Sequence, residues 1–413
     1  MSSKKITVIS GNYYPEDTAI GLYTTQLTEH LIKKGFEINV ITNFPYYPQW
    51  KIWNDYHDKP NFFSELLHTI KIYRYKQFVP KKVSFLGRVL LMLSFLYGAI
   101  VNSKKIKEAD LIICIIPFTL SLIPGLLLKR KCKAKLWVHI QDFEFDLAFE
   151  TGILKKNNLI ITLFKKIIFS FESYLLNKSD VISSISNNMI ATSKTKSNVE
   201  NLFLFPNWVS STNINPESSK PHPYISKDKF TLLYSGNVGE KQDWSVLENI
   251  CALIHSDDID VIIVGEGAFL PQLKQNLSQY PFVKFFPLVP YHELSDLLCS
   301  ADVHFLFQKT DVKDSIMPSK ILGMMASEKP SLITGNKTSE VGTIFNNHLV
   351  GCYFSDLDIQ TIYNTIIQLK DNADLRKKMG QNARSYVIEN FSENIIFEKV
   401  EKKLDEELNN SKS

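Results

Sequence analysis

Near the amino terminus the chain runs through a strand, a loop, a helix and a second strand, and this order restricts the fold more than any other feature. Lys5 to Ser10 is a short apolar-rich run ended by Gly11-Asn12, as a buried strand would be. After a loop with Pro15 and Glu16, the segment Gly21 to Lys34 places Leu22, Leu27, Leu31 and Ile32 near one helical face. Gly35 stands where a helix stop belongs, and Glu37 to Thr42 reads as the next strand. A βαβ unit closes with a right-handed crossover, so it implies a parallel sheet with helices on its faces.

The rest of the chain continues the pattern. His68 to Tyr75, Asp110 to Pro117, Ala134 to Ile140, Asp180 to Ser186 and Leu202 to Phe205 read as further strands of the first half. Asp110 to Pro117 is almost wholly apolar, as expected for a strand covered on both faces. Residues Val209 to Lys229, rich in Ser, Pro, Asn and Lys, read as a linker. A second series follows: Phe230 to Tyr234, Asp260 to Val264, Val283 to Leu288, Ala301 to Phe307 and Pro330 to Thr334. The expected organisation is an N-terminal domain over 1–208, a linker over 209–229 and a C-terminal domain over 230–388. A helix over 389–413 is expected to cross back to the first domain. The fold class is thus α/β, with two facing Rossmann-like doubly wound domains, ligands being expected beyond the strands' carboxyl ends in the cleft.

Several segments at those strand ends carry chemistry. Tyr234 to Asp243 reads Tyr-Ser-Gly-Asn-Val-Gly-Glu-Lys-Gln-Asp between a strand and a helix start. Gly236 permits close backbone approach, helix N–H groups favour an anion, and Lys241 adds a full charge; a plain turn would use similar residues. Strand Asp260 to Val264 ends in Gly265-Glu266-Gly267, and Pro318-Ser319-Lys320 opens another helix, making a second anion site. Two such sites suit a diphosphate. His139 ends a strand and is followed by Asp142, Glu144 and Asp146, which favours an active-site role over a structural one. Asn43 to Trp50, with Tyr46, Tyr47 and Trp50, either stacks on sugar rings or is a loop anchored by its own aromatics. Gly21 is either a place of ligand approach or a turn glycine.

A formal net charge of +4 is too small to argue for nucleic acid. Five scattered cysteines form neither a zinc pattern nor a disulfide framework and fit a reducing compartment. The apolar run after Met-Ser-Ser-Lys-Lys is too short for a signal peptide, so a cytoplasmic location is expected. Val89 to Val101 is apolar and bracketed by Lys81, Lys82, Arg88, Lys104 and Lys105. It is shorter than the ~20 residues of a membrane span, which leaves a buried core helix or a helix lying on an anionic membrane face. Ile153 to Leu176 repeats the theme with Lys155, Lys156, Lys165 and Lys166. Together they point to peripheral contact with the inner face of the cytoplasmic membrane.

Taken together, Gly21, Pro45 to Trp50, His139 to Asp142, Phe205 to Trp208, Tyr234 to Gln242, Phe286 to Leu288, Gln308-Lys309 and Pro318 to Lys320 resemble the GT-B glycosyltransferases of family 4. Within that family the chain is similar to the colanic acid biosynthesis fucosyltransferase type, over nearly its whole length. The resemblance implies retaining transfer of a sugar from a nucleotide diphosphate sugar, without a metal or cofactor, the leaving diphosphate being neutralised by lysines and helix N-termini. It implies that Gly21, Gly236, Asn237, Lys241, Gly265, Glu266, Ser319 and Lys320 bind the donor. His139 and Asp314 are its catalytic candidates, and Tyr46, Tyr47, Trp50 and Asp142 lie on the acceptor side. The implied acceptor is a lipid-linked oligosaccharide in surface polysaccharide synthesis (capsule, exopolysaccharide or O-antigen). The implied donor carries GDP or UDP, with GDP-fucose favoured and UDP-N-acetylfucosamine or another UDP-hexosamine as rival.

The chain departs from the family pattern at particular positions. Asn237 stands where an Arg is common, and the usual pair of glutamates falls on Ser315 and Gly323. Asp314, one place away, is the expected substitute for the first. A sugar-nucleotide epimerase of the same architecture and a non-catalytic nucleotide-sugar binder are the alternatives. Incubation with a sugar nucleotide alone separates them, because only an epimerase converts it.

Overall fold

The computed structural model describes residues 3–17, 19–81, 84–146, 159–210, 212–310 and 319–409. The chain divides into two compact units, Met1–Pro206 with Phe397–Ser413, and Asn207–Ile396.

The first unit is built on an eight-stranded sheet in the order β3-β4-β2-β1-β5-β6-β7-β8. Its strands are β1 (Lys5–Ile9), β2 (Glu37–Asn43), β3 (Phe62–Leu67), β4 (Ile70–Tyr75), β5 (Leu111–Ile116), β6 (Lys135–Ile140), β7 (Val181–Ser184) and β8 (Leu202–Leu204). All pairings are parallel except β3 with β4. β5, Leu-Ile-Ile-Cys-Ile-Ile, is buried at every residue because helices cover both faces of the sheet. From β1 the chain moves to β2 on one side and later returns to β5 on the other. Such a reversal separates the loops leaving the two central strands and opens room beyond their carboxyl ends.

The second unit repeats the plan with six parallel strands in the order β11-β10-β9-β12-β13-β14. They are β9 (Phe230–Ser235), β10 (Ile259–Val264), β11 (Val283–Phe286), β12 (Val303–Phe307), β13 (Ser331–Thr334) and β14 (Gly351–Phe354). Here the order reverses between β9 and β12. One apolar cluster joins β9, β10, β12 and β13 to the inner faces of helices such as Trp244–Leu253.

Some elements differ from the sequence expectation. His68 to Tyr75 is the turn and second strand of a hairpin whose first strand, β3, has no strong signal; His68 makes the turn at φ +52°. Residues 209–229 belong to the second unit. Within them the backbone N–H groups of Asn215, Lys220 and His222 donate to Ser295 Oγ (3.0 Å), Asp296 Oδ1 (2.8 Å) and Ser300 Oγ (2.8 Å), so the stretch is bound along the helix Leu294–Ser300. The carboxyl-terminal helical pattern is two helices, Ala373–Phe391 and Glu393–Asn409, broken where Ser392 turns extended and pairs with Val209.

Candidate active site

In the second unit the loops leaving the neighbouring strands β9 and β10 converge by close backbone approach. β9 runs into Gly236, whose φ of +134° is one that side-chain-bearing residues rarely adopt. A Cβ there would also lie 2.4 Å from Lys320 Cε and 2.6 Å from its Nζ. Gly265, after β10, is equally constrained, since a Cβ would meet Gly236 O at 2.1 Å. The two loops are stitched together: Gly236 N donates to Val264 O (2.8 Å) and Val238 N to Glu266 O (2.8 Å).

Lys320 enters this site from the helix Ser319–Ala326. Its Nζ donates to Tyr234 Oη (2.7 Å) and Asn237 O (3.3 Å) and lies 4.6 Å from the centre of the Tyr234 ring. Tyr234 Oη in turn donates to Asn237 O (2.5 Å). Burial disfavours the ammonium form and lowers the Lys320 pKa to about 8. The structure thus gathers Gly236, Asn237, Gly265, Glu266 and Lys320, Glu266 being exposed. Lys241 lies farther along the same loop with an exposed side chain. Ser319 opens the helix. Asp314 and Ser315 lie outside the described residues. Gly323, at the place of the second family glutamate, faces inward: a Cβ there would sit 3.4 Å from both Ile214 Cδ1 and Leu298 Cδ1.

In the first unit the loops at the carboxyl ends of β1, β2, β5 and β6 are tied by two carboxylates, Glu16, which is buried, and Glu144, which is half-buried. Glu16 Oε1 accepts from Tyr46 N (2.7 Å) and Tyr47 N (2.8 Å), and Oε2 accepts from Asn12 Nδ2 (2.8 Å). Gly21 packs on the same turn, where a Cβ would lie 2.6 Å from Glu16 O. Glu144 repeats the device, accepting from Phe118 N (2.7 Å) and Thr119 N (2.5 Å). Phe118 has φ +95°, a strained conformation for a bulky residue that this anchor helps to hold, and its ring fills the space above Gly11. Burial pushes both the Glu16 and Glu144 pKa values upward, against the hydrogen bonds they accept.

His139 is buried rather than presented at the strand end. Gln141 Nε2 lies 3.1 Å from His139 Nε2, and His139 Nδ1 lies 2.9 Å from Ser183 Oγ, which also accepts from Trp137 Nε1 (2.7 Å). An amide N–H on Nε2 leaves the ring proton on Nδ1, directed at Ser183. Burial depresses the His139 pKa to about 3, so the imidazole is neutral at physiological pH. The carboxylates after it are engaged: Glu144 as above, Asp146 with Lys196 Nζ (2.6 Å); Asp142 is half-buried. In the aromatic loop Tyr46 is buried and packs edge-on to Trp50 at 5.8 Å, so it anchors the loop, while Tyr47 and Trp50 stay partly exposed. Both loop readings therefore have a residue to carry them. No group of three or more His, Cys, Asp or Glu side chains is placed to hold a metal among the described residues.

Comparison with known proteins agrees with this architecture. The family model "Glycosyl transferases group 1" matches residues 217–386. The Escherichia coli (strain K12) protein named "Putative colanic acid biosynthesis glycosyl transferase WcaI" is 31% identical over 354 residues, covering 82% of this chain and 85% of WcaI. The chain belongs to the group 1 glycosyl transferases. Its fold is GT-B: sucrose-phosphate synthase from Thermosynechococcus elongatus superposes with a TM-score of 0.73 at 15% identity, over 98% of each chain. Alr3699/HepE of Anabaena, solved in complex with UDP-glucose, superposes with a TM-score of 0.66 at 13% identity, over 97% of this chain and 99% of that one.

Proposed function

We propose that this glycosyltransferase moves a deoxyhexose or N-acetylated deoxyhexosamine from a nucleotide diphosphate sugar to a lipid-linked oligosaccharide, with retention and without a metal, in surface polysaccharide synthesis. The observation that carries the donor site is Lys320 held against Tyr234 and Asn237 beside the Gly236 turn. A lysine half-buried next to a glycine turn and a helix start is suited to a diphosphate, whose charge would replace the water the lysine has lost. Lys241 supplies a second cation from the exposed part of the same loop, and Ser319 the helix start. The WcaI name supports polysaccharide synthesis, and the UDP-glucose bound by the Anabaena protein supports a nucleotide sugar of this kind. The donor choice stands between GDP-fucose and a UDP-hexosamine.

His139 enters this reading as a neutral aligning group and not as a proton donor, because its pKa is far below physiological pH. Asp314 is the proposed sugar contact. Tyr47, Trp50 and Asp142 form the acceptor side, with Tyr46 fixing the loop.

A thermal-shift panel of GDP, UDP, ADP and dTDP tests the donor site, since a ligand that binds only the folded state raises the melting temperature. A shift with GDP alone supports fucosyl transfer, and a shift with UDP alone moves the donor to a UDP-hexosamine. No shift with any of them overturns the site.

A further inference from the structure

The helix Phe85–Ser103 is apolar on both of its sides. Its inner face, with Leu91, Phe95 and Ala99, is buried, and it packs on β2 and β4 so closely that a Cβ on Gly98 would lie 2.2 Å from Tyr75 Cγ. Its outer face carries Leu86, Leu90, Leu93 and Tyr97, spaced as one helical stripe and all exposed, Leu86 to 71%. A helix seated on a sheet in this way lies flat and is not free to cross a bilayer, although by length and composition it could. The helix Leu159–Leu176, whose described residues before Glu172 are mostly exposed, also presents Leu163, Ile167 and Phe171 to solvent at helical spacing. The helix Leu122–Cys132 packs against both, so the stripes belong to one helical layer on one face of the first unit.

Charge identifies what covers this layer. The three helices contain a single acidic residue, Glu172, and it is buried against Lys196. Arg88, Arg130, Lys131, Lys165 and Lys166 are exposed on the same helices. Exposed apolar stripes on helices whose exposed charges are all cationic match an anionic lipid surface, where the stripes enter the acyl boundary and the cations meet headgroups. We propose that this helical layer is a monotopic docking face for an anionic bilayer. The proposal rests on exposure and charge, and stands apart from the donor-site reading.

The test is co-sedimentation of the full chain with vesicles of phosphatidylglycerol and phosphatidylcholine in equal parts, against phosphatidylcholine alone. The expected result is sedimentation with the anionic vesicles and little with the neutral ones, weakened by salt. Leu90→Ser with Leu93→Ser and Tyr97→Ser, and separately Leu163→Ser with Ile167→Ser and Phe171→Ser, should each lower vesicle affinity at least ~10-fold, as lost apolar insertion dictates. Each of these side chains is 40% or more exposed; Tyr97 also packs edge-on to Tyr75 at 5.6 Å, so the fold of each variant is checked by its melting temperature and nucleotide response. Failure of the parent protein to sediment with anionic vesicles overturns the proposal, as does undiminished binding by folded variants. A dimer that the substitutions dissolve, with no vesicle binding, would assign the face to a second copy of the chain and overturn it equally.

Discussion

Lys320 and Glu16 are charges held at low solvent exposure, and each makes a prediction with a sign. Burial holds the Lys320 pKa at about 8, and a diphosphate beside it would raise it, so binding above pH 8 should take up a proton. If the cation alone binds, affinity for the nucleoside diphosphate should fall about 10-fold at pH 9, while Lys320→Arg should abolish that slope. Titration calorimetry in buffers of different ionisation enthalpy reads the proton directly, and a pH-independent affinity would refute the contact. Lys320→Ala should weaken binding by roughly 2–3 kcal/mol, the scale of a charge-assisted contact. Glu16 ionises against its burial, so its folded pKa lies above the unfolded one. The stability it lends is full below the unfolded pKa and declines as pH rises through the folded value. Glu16→Gln keeps an acceptor for Tyr46 N and Tyr47 N without the charge, so its melting temperature relative to the parent should be higher at pH 8 than at pH 5. Glu16→Ala, which strands those N–H groups, should cost about 1–3 kcal/mol per unsatisfied group and raise the acceptor KM more than it lowers kcat. The anchoring roles of Glu16 and Glu144 could not be read from the sequence, because a loop glutamate is usually solvated, and only the tertiary path of the neighbouring loops brings backbone donors to it. Gly236 and Lys320 were legible because a strand, a glycine turn and a helix start have a local signature.

At the scale of elements, the strands buried on both sides could be read from their uninterrupted apolar runs, β5 and β10 being the clearest. β3 could not, because Phe62–Leu67 is an edge strand with partly exposed residues and its turn uses His68 at positive φ where glycine would have announced it. The break at Ser392 was hidden for a similar reason: no proline or glycine marks it, and the extended backbone is held by pairing with Val209 across a long sequence separation. Position placed His139 at a strand end but not its exposure: the side chain is buried, with Gln141 Nε2 3.1 Å from its Nε2. The helix Phe85–Ser103 offers a direct check on packing. Gly98→Ala places a methyl within 2.2 Å of Tyr75 Cγ, so either the ring or the helix must move. Overpacking of this kind costs about 1–3 kcal/mol, whereas Leu90→Ala on the solvent face should change stability by less than ~0.5 kcal/mol. Urea denaturation of both variants distinguishes them, and equal midpoints would contradict the seating of this helix on β4.

For the whole molecule, the chain's last helix decides how the first unit is completed. Glu393–Asn409 begins in the second unit, but from Phe397 onward it belongs to the first. There Phe397, Val400, Leu404 and Leu408 are buried, Phe397 stacks on His30 at 4.1 Å, and Glu401 accepts from both His30 and Lys34. Glu407 adds bonds to Lys135 and Asn201. Burying a large aliphatic or aromatic side chain contributes about 1.5–3 kcal/mol, so this segment supplies stabilisation comparable to the 5–15 kcal/mol net stability of a typical domain. A chain ended after Ile396 retains every donor-site residue named above and loses the cap on the first unit. Its first unit should therefore melt well below that of the full chain, or fail to fold. The second unit should keep its own transition, and that transition should still rise with whichever nucleotide stabilises the full protein. Calorimetric scans of the two lengths, with and without nucleotide, read both units at once. Loss of the nucleotide response in the shortened chain would mean that the donor site depends on the first unit, whereas an unchanged first transition would mean that the buried face of the last helix adds little.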